Sequence, residues 1–205
     1  MSVFDHYYKR YDAWYDKNKY VYLSELEALK KSLPKFGRGL EIGVGTGRFA
    51  CVLGIAVGID PSAKMIEAAI QRGANARRGF GENLSFGEEA FDYVAIIATL
   101  CFVRNPLKVL QEAQRVLKKN GKIIIGIIDK ESFLGSFYQR KKSVFYKKAN
   151  FFSVKEVAKL LIDSKFKQIN YRQTLFGPLD KINLIQKPRR GFGEGGFVVI
   201  SGKKI

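Results

Sequence analysis

The 205-residue sequence predicts a doubly wound α/β domain with a mostly parallel central sheet. Three observations lead there. Short apolar runs alternate with amphipathic stretches of helical length through most of the chain. One such run, Gly39-Leu40-Glu41-Ile42, passes directly into Gly43-Val44-Gly45-Thr46-Gly47, a glycine turn that opens a helix. Another, Phe91 to Ala98, is apolar over nearly its whole length, as in a central strand covered on both faces.

The elements follow in order. Phe4, Tyr7, Tyr8, Tyr11, Trp14 and Tyr15 recur at helical spacing and predict an N-terminal helix with an aromatic face. That face either packs on the domain or covers a ligand mouth as a lid over residues 1–23. Ser24 and Glu27 have the spacing of a capping box, which would start a helix carrying Leu26, Leu29 and Leu33 and ending at Pro34. The helix after Gly47 must be short, because the next strand begins by Ile55 and ends at Asp60. Pro61 to Arg72 reads as a helix with Met65, Ile66, Ala69 and Ile70 inward, stopped by Gly73. A third strand lies near 74–78. Asn105-Pro106 begins a helix with Leu107, Leu110, Ala113 and Leu117 on one face, ended by Lys119-Asn120-Gly121. Lys122 to Ile128 is the fifth strand. Residues 129–152 form an insertion that interleaves aromatics, among them Tyr138 and Tyr146, with Arg140, Lys141, Lys142, Lys147 and Lys148. Ser153 and Glu156 form a second capping box, opening a helix to Ser164. Strand-like segments at 166–174 and 197–201 flank a long loop, 176–196. The chain reads as one domain, 1–205, with a lid and an insertion.

Composition narrows the class. The hydrophobic share is an ordinary 46%. No apolar run reaches membrane-spanning length, and the first residues lack a signal-peptide core, so a cytoplasmic protein is expected. Cys51 and Cys101 sit in apolar runs and read as small buried residues. His6 is the single histidine, so no multi-histidine metal site is expected. The net charge is +17, and it is lopsided: residues 1–100 hold 13 Lys/Arg against 12 Asp/Glu, and the remainder holds 23 against 7. A basic half points to an anionic partner such as RNA, or to a lysine-rich surface facing water.

The chemistry concentrates at the glycine turn. Its spacing is Gly-x-Gly-x-Gly, not the dinucleotide Gly-x-Gly-x-x-Gly. Glu41, two places upstream of Gly43, would repel a pyrophosphate and attract a cation. Asp60, at the end of the next strand, is placed either to accept both hydroxyls of a ribose or to cap the following helix.

Together these residues resemble motif I of the class I S-adenosylmethionine (SAM) dependent methyltransferases, whose cofactor has a sulfonium and an ammonium and no phosphate. Gly79-Phe80-Gly81-Glu82-Asn83-Leu84-Ser85-Phe86 is similar to the corresponding stretch of the ubiquinone/menaquinone-biosynthesis type, although the family's Asp is Phe80 here and its Pro is Ser85. Arg115 to Lys122 resembles the family's link into the fifth strand, and Tyr11 to Tyr15 its N-terminal piece that folds over SAM. The resemblance implies a Rossmann-like, seven-stranded sheet with a C-terminal antiparallel hairpin, and SAM as cofactor with S-adenosylhomocysteine as product. It implies cofactor contacts from Glu41, Gly43, Gly45, Gly47, Asp60, Gly81, Glu82 and Ala98. Tyr11, Thr99, Cys101, Tyr138 and Tyr146 would face the acceptor. Many relatives carry a histidine pair where this chain has Cys101 and Phe102, so no histidine base is expected, and Tyr7, Tyr11 and Tyr146 are the remaining candidates. An amine, or an acid already ionised, is the easier nucleophile. The expected acceptor is a small molecule. RNA or another large anion, and SAM binding without catalysis, are the alternatives.

Overall fold

The computed structural model describes residues 3–141 and 143–205, and of Lys148 the backbone only. Met1 and Ser2 of the expected lid, and Lys142 of the insertion, lie outside the described residues.

Strand order in the sheet is β3-β2-β1-β4-β5-β8-β6-β7. β1 (Gly39–Ile42), β2 (Val57–Asp60), β3 (Ala76–Arg78), β4 (Phe91–Ile97) and β5 (Leu117–Ile128) run parallel. β8 (Phe197–Lys204) lies antiparallel between β5 and β6 (Phe166–Thr174), and β7 (Arg189–Arg190) closes that edge. The sheet therefore has eight strands, not seven. β7 carries two exposed arginines and no apolar alternation, so nothing in its sequence marks it as a strand. Connections reverse direction between β1 and β4, where open α/β sheets form their ligand crevice.

Both faces are covered. α5 (Pro106–Val116) and α7 (Val154–Asp163) pack on one, against residues such as Val94, Ile96 and Ile123. α2 (Lys19–Lys30) and α3 (Arg48–Leu53) pack on the other, against Ala95, Ile97 and Ile124. α4 (Ala63–Gln71) follows β2, and α6 (Phe133–Arg140) lies within the insertion. The capping box of α7 is present as expected, with Ser153 and Glu156 exchanging hydrogen bonds. Asn105 caps α5 by accepting from the Lys108 amide.

Four local expectations are corrected. Ser24 does not start a helix: α2 begins five residues earlier, after Asn18, and the Ser24 hydroxyl donates to the Tyr20 carbonyl inside it. Ser24 also accepts from the Gln186 amide, so its role is to tie α2 to the long loop. Ser62, not Asp60 or Pro61, caps α4, and Ile70 points outward at 55% exposure. Helix α5 stops at Val116, because Leu117 already pairs with Phe91 of β4; Lys119-Asn120-Gly121 bends the strand, with Asn120 at φ 66°. Cys51 and Cys101 are half-buried rather than buried.

Candidate active site

The site is built where β1 and β4 end side by side. Beyond β1 the chain turns through Gly43, Gly45 and Gly47, all with positive φ (77°, 52° and 79°), a conformation that side chains oppose. Gly43 is doubly constrained, since a Cβ there would overlap the Thr99 side chain. The Thr99 hydroxyl donates to the Gly43 carbonyl (3.2 Å) or the Ile97 carbonyl (2.9 Å), holding the end of β4 to the turn. Between them Ala98 adopts φ 49°, a strained geometry for a residue with a side chain. Behind the turn Glu41 is 1% exposed, and its Oε2 has no hydrogen-bond partner among the described residues. Burial, then the nearby Asp60 charge, pushes its carboxyl well above the usual range.

Asp60 reaches across from β2. Its carboxylate accepts from the Gly45 amide (3.1 Å) and the Ser62 amide (2.9 Å). Burial raises its pKa to about 6, against the opposing effect of those two amides. The Gly79 amide bonds the Asp60 carbonyl, which brings the loop carrying Gly81 and Glu82 alongside. Gly81 is buried, with no room for a side chain against Ile42 and Val109. Glu82 Oε1 accepts from the Arg104 amide (2.9 Å), ahead of α5. Phe80 is exposed at 59%, outside the core.

α1 (Val3–Lys17) lies over this end of the sheet. Asp12 accepts from Arg48, Arg72 and Thr46, and Asp16 also pairs with Arg48. Burial would raise the Asp12 carboxyl, but those hydrogen bonds overcome it and hold it at about 2. At the other end of α1, Asp5 accepts from the Ser62 hydroxyl (2.6 Å). α1 is thus pinned to the first residues of both α3 and α4. Residues 19–23, the remainder of the expected lid, form the first turns of α2, with Val21 and Tyr22 in the core.

Beneath α1, next to the glycine turn, is a partly open chamber of about 160 Å³. Tyr11 and Trp14 of α1, Tyr138 of α6, and Tyr146 and Phe151 of the insertion form much of its wall. Ala98, Thr99 and Cys101 line the side facing the turn. A Cβ built on Gly45 would meet Tyr11 at 3.8 Å, so the chamber and the turn adjoin through that ring. The Tyr11 and Tyr15 hydroxyls share a hydrogen bond of 2.8 Å, and the Tyr138 and Tyr146 rings lie 4.7 Å apart. Phe145 packs on Phe4, Tyr7 and Tyr11, closing the insertion against α1. Burial pushes the hydroxyls of Tyr11 and Tyr146 far up and the Cys101 thiol to about 12, so none of these is a ready base.

All thirteen residues singled out from the sequence thus fall into two adjoining groups. Glu41, Gly43, Gly45, Gly47 and Asp60 surround the turn, with Gly81 and Glu82 beside Asp60. Tyr11, Ala98, Thr99, Cys101, Tyr138 and Tyr146 line the chamber. One wall residue escaped notice: Glu25 of α2, which is 7% exposed and lines the chamber. Placing the helix start at Ser24 hid it. With the start at Lys19, Val21, Glu25, Ala28 and Leu29 form one inward stripe, and an acid in that stripe is conspicuous.

A family profile described as a methyltransferase domain matches residues 40–125. A solved SAM-dependent methyltransferase of Thermotoga maritima, described as a possible histamine N-methyltransferase, superimposes with a TM-score of 0.96 at 45% identity over 99% of both chains. The chain belongs to the class I SAM-dependent methyltransferases. An uncharacterized protein of Methanocaldococcus jannaschii is 52% identical to this methyltransferase over the full length of both. A demethylmenaquinone methyltransferase of Shouchella clausii is 30% identical over 60% of each chain. The enzyme's own residues suit the cofactor: a buried carboxylate with one unpartnered oxygen, a turn of three glycines at positive φ that brings backbone close to a ligand, and an acid at the end of β2. Among the described residues no group of His, Cys, Asp or Glu could hold a metal ion, and no helix is long and apolar enough to cross a membrane.

Proposed function

We propose that this methyltransferase acts on a small molecule held in the aromatic chamber. The aromatic-lined chamber, bounded by Ala98 and Thr99 on the side of the glycine turn, carries the reading. SAM supplies an activated methyl group when bound, so the protein's task is mainly to align the acceptor and exclude water; good alignment is worth roughly 7–11 kcal/mol. Glu41 and the glycine turn would hold the methionine end, Asp60 the ribose, and Gly81 with Glu82 would border the adenine. Thr99 fixes the turn against β4, and α1 closes the chamber from above. A lid would have to loosen for exchange, so α1 should gain hydrogen-exchange protection when S-adenosylhomocysteine binds.

RNA remains the second reading because of the basic C-terminal half. Part of that charge, however, lies at the other end of the sheet. Lys122, Arg172, Arg190, Lys203 and Lys31 line an open groove by the start of β5, whereas Ile127 and Ile128 at its end line the chamber. Six residues of strand separate the two, about 20 Å. Incubating the enzyme with labelled SAM and either a metabolite extract or bulk RNA tests the reading. Label is expected in small molecules. Label in RNA alone, lost when Lys141, Lys142, Lys147 and Lys148 become Glu while SAM still binds, would establish the second reading.

A further inference from the structure

We propose that Glu25 is the recognition residue for the acceptor, and that the acceptor is a small molecule bearing a positively charged amine. This rests on the small-molecule reading above and goes further by naming the chemical class.

Glu25 is more than nine-tenths buried, lines the chamber, and meets no hydrogen-bond donor among the described residues. A buried acid without a partner destabilises a fold by several kcal/mol in its charged form and about 1–3 in its neutral form. The surrounding structure makes no use of it. Neither Ser24, which bonds Tyr20 and Gln186, nor any arginine or lysine reaches it. The chamber around it is lined by tyrosine, tryptophan and phenylalanine rings, whose faces attract cations. A carboxylate among aromatic rings suits an ammonium and repels a phosphate or carboxylate.

The titratable and charged groups facing Glu25 are few. Tyr11 and Tyr15 come from α1, Tyr22 from α2 itself, Tyr138 from α6 and Tyr146 from the insertion, all with hydroxyls pushed upward chiefly by burial. Cys101 is neutral for the same reason. Arg10 and Lys141 also line the chamber, and both are exposed. Burial raises the Glu25 pKa to about 8. At pH 7 the empty enzyme therefore carries mostly the neutral acid, and a bound ammonium would drive its proton into solvent.

The test uses the enzyme saturated with S-adenosylhomocysteine and a set of small scaffolds, each present as amine, alcohol and carboxylate. Calorimetry is run in buffers of different ionisation enthalpy. The amine should bind best of its three forms, at pH 7 should release close to one proton per site, and should weaken about tenfold or more in Glu25→Gln. A quaternary ammonium member should bind more tightly as pH rises from 7 to 9. Equal binding of alcohols or carboxylates, or amine binding without proton release, would overturn the assignment. So would unchanged amine affinity in Glu25→Gln that still binds S-adenosylhomocysteine. If the variant does not fold, proton release by the native enzyme decides alone. If S-adenosylhomocysteine binds but no scaffold of any charge does, the small-molecule reading itself fails, and this inference with it.

Discussion

The glycine turn and the aromatic chamber share a wall but are made differently. The turn is contiguous: residues 41–47 supply an acid and three backbone bends, and Asp60 joins them from the next strand. The chamber draws on α1, α2, the end of β4, α6 and the irregular part of the insertion, which meet only in the folded molecule. Binding a fixed cofactor needs backbone in a fixed geometry, so it leaves a spacing in the sequence. Binding an acceptor needs side chains pointing at one volume, so it leaves none.

Substitutions should separate the two regions by the sign of their effect as well as its size. Gly43→Ala forces a Cβ into Thr99 at positive φ, and both the turn and the end of β4 must move. Loss of measurable SAM binding and a stability loss of about 3 kcal/mol or more are expected by calorimetry and denaturant titration. A normal SAM affinity would mean that the turn is not the cofactor site.

Asp60→Ala should leave the fold intact and weaken SAM binding by roughly 1.5–3 kcal/mol. Unchanged affinity would reduce Asp60 to a local brace between the Gly45 and Ser62 amides.

On the chamber side the sign reverses. The Glu25 pKa rises from 4.5 in a free chain to about 8 in the fold. The folded state holds the proton over that window and the unfolded chain does not. Glu25 therefore lowers stability progressively between about pH 4.5 and 8, by at most ~1.4 kcal/mol per pH unit. Glu25→Gln should be more stable than the native enzyme at pH 8 and equal to it at pH 4. Parallel pH profiles of melting temperature would show that Glu25 is solvated or paired after all.

The smallest effect is expected at the shared wall. Ala98→Gly relieves a positive φ and should stabilise the fold by about 0.5–1 kcal/mol. A loss of stability would mean that the methyl group's packing outweighs the backbone strain.

The legible and hidden parts of this enzyme follow the same division. Seven of the eight strands, the short α3 and the caps at Asn105 and Ser153 were readable because period and capping chemistry act within a few residues. The turn, Glu41 and Asp60 were readable because they lie on consecutive strands at a set spacing. β7 was not, since two arginines become a strand only by pairing with Arg172 and Gln173. Glu25 was not, because its direction depends on where α2 starts, and the pairing of Ser24 with Glu27 imitates a helix start that the tertiary bond to Gln186 overrides. That Ala98 is strained was beyond reach, as nothing local favours that geometry.

The place of β8 bears on how the molecule is made. It is synthesised after β6 and β7, yet it fills the gap between β5 and β6, pairing with both along most of its length. Until it arrives, β5 presents an open apolar edge and β6 lacks the strand that joins it to the rest of the sheet. A folding intermediate that lacks only β8 thus holds the complete glycine turn and an unfinished sheet. Those two edges invite pairing with other nascent chains. Slow docking of β8 should accordingly leave the molecule prone to aggregation.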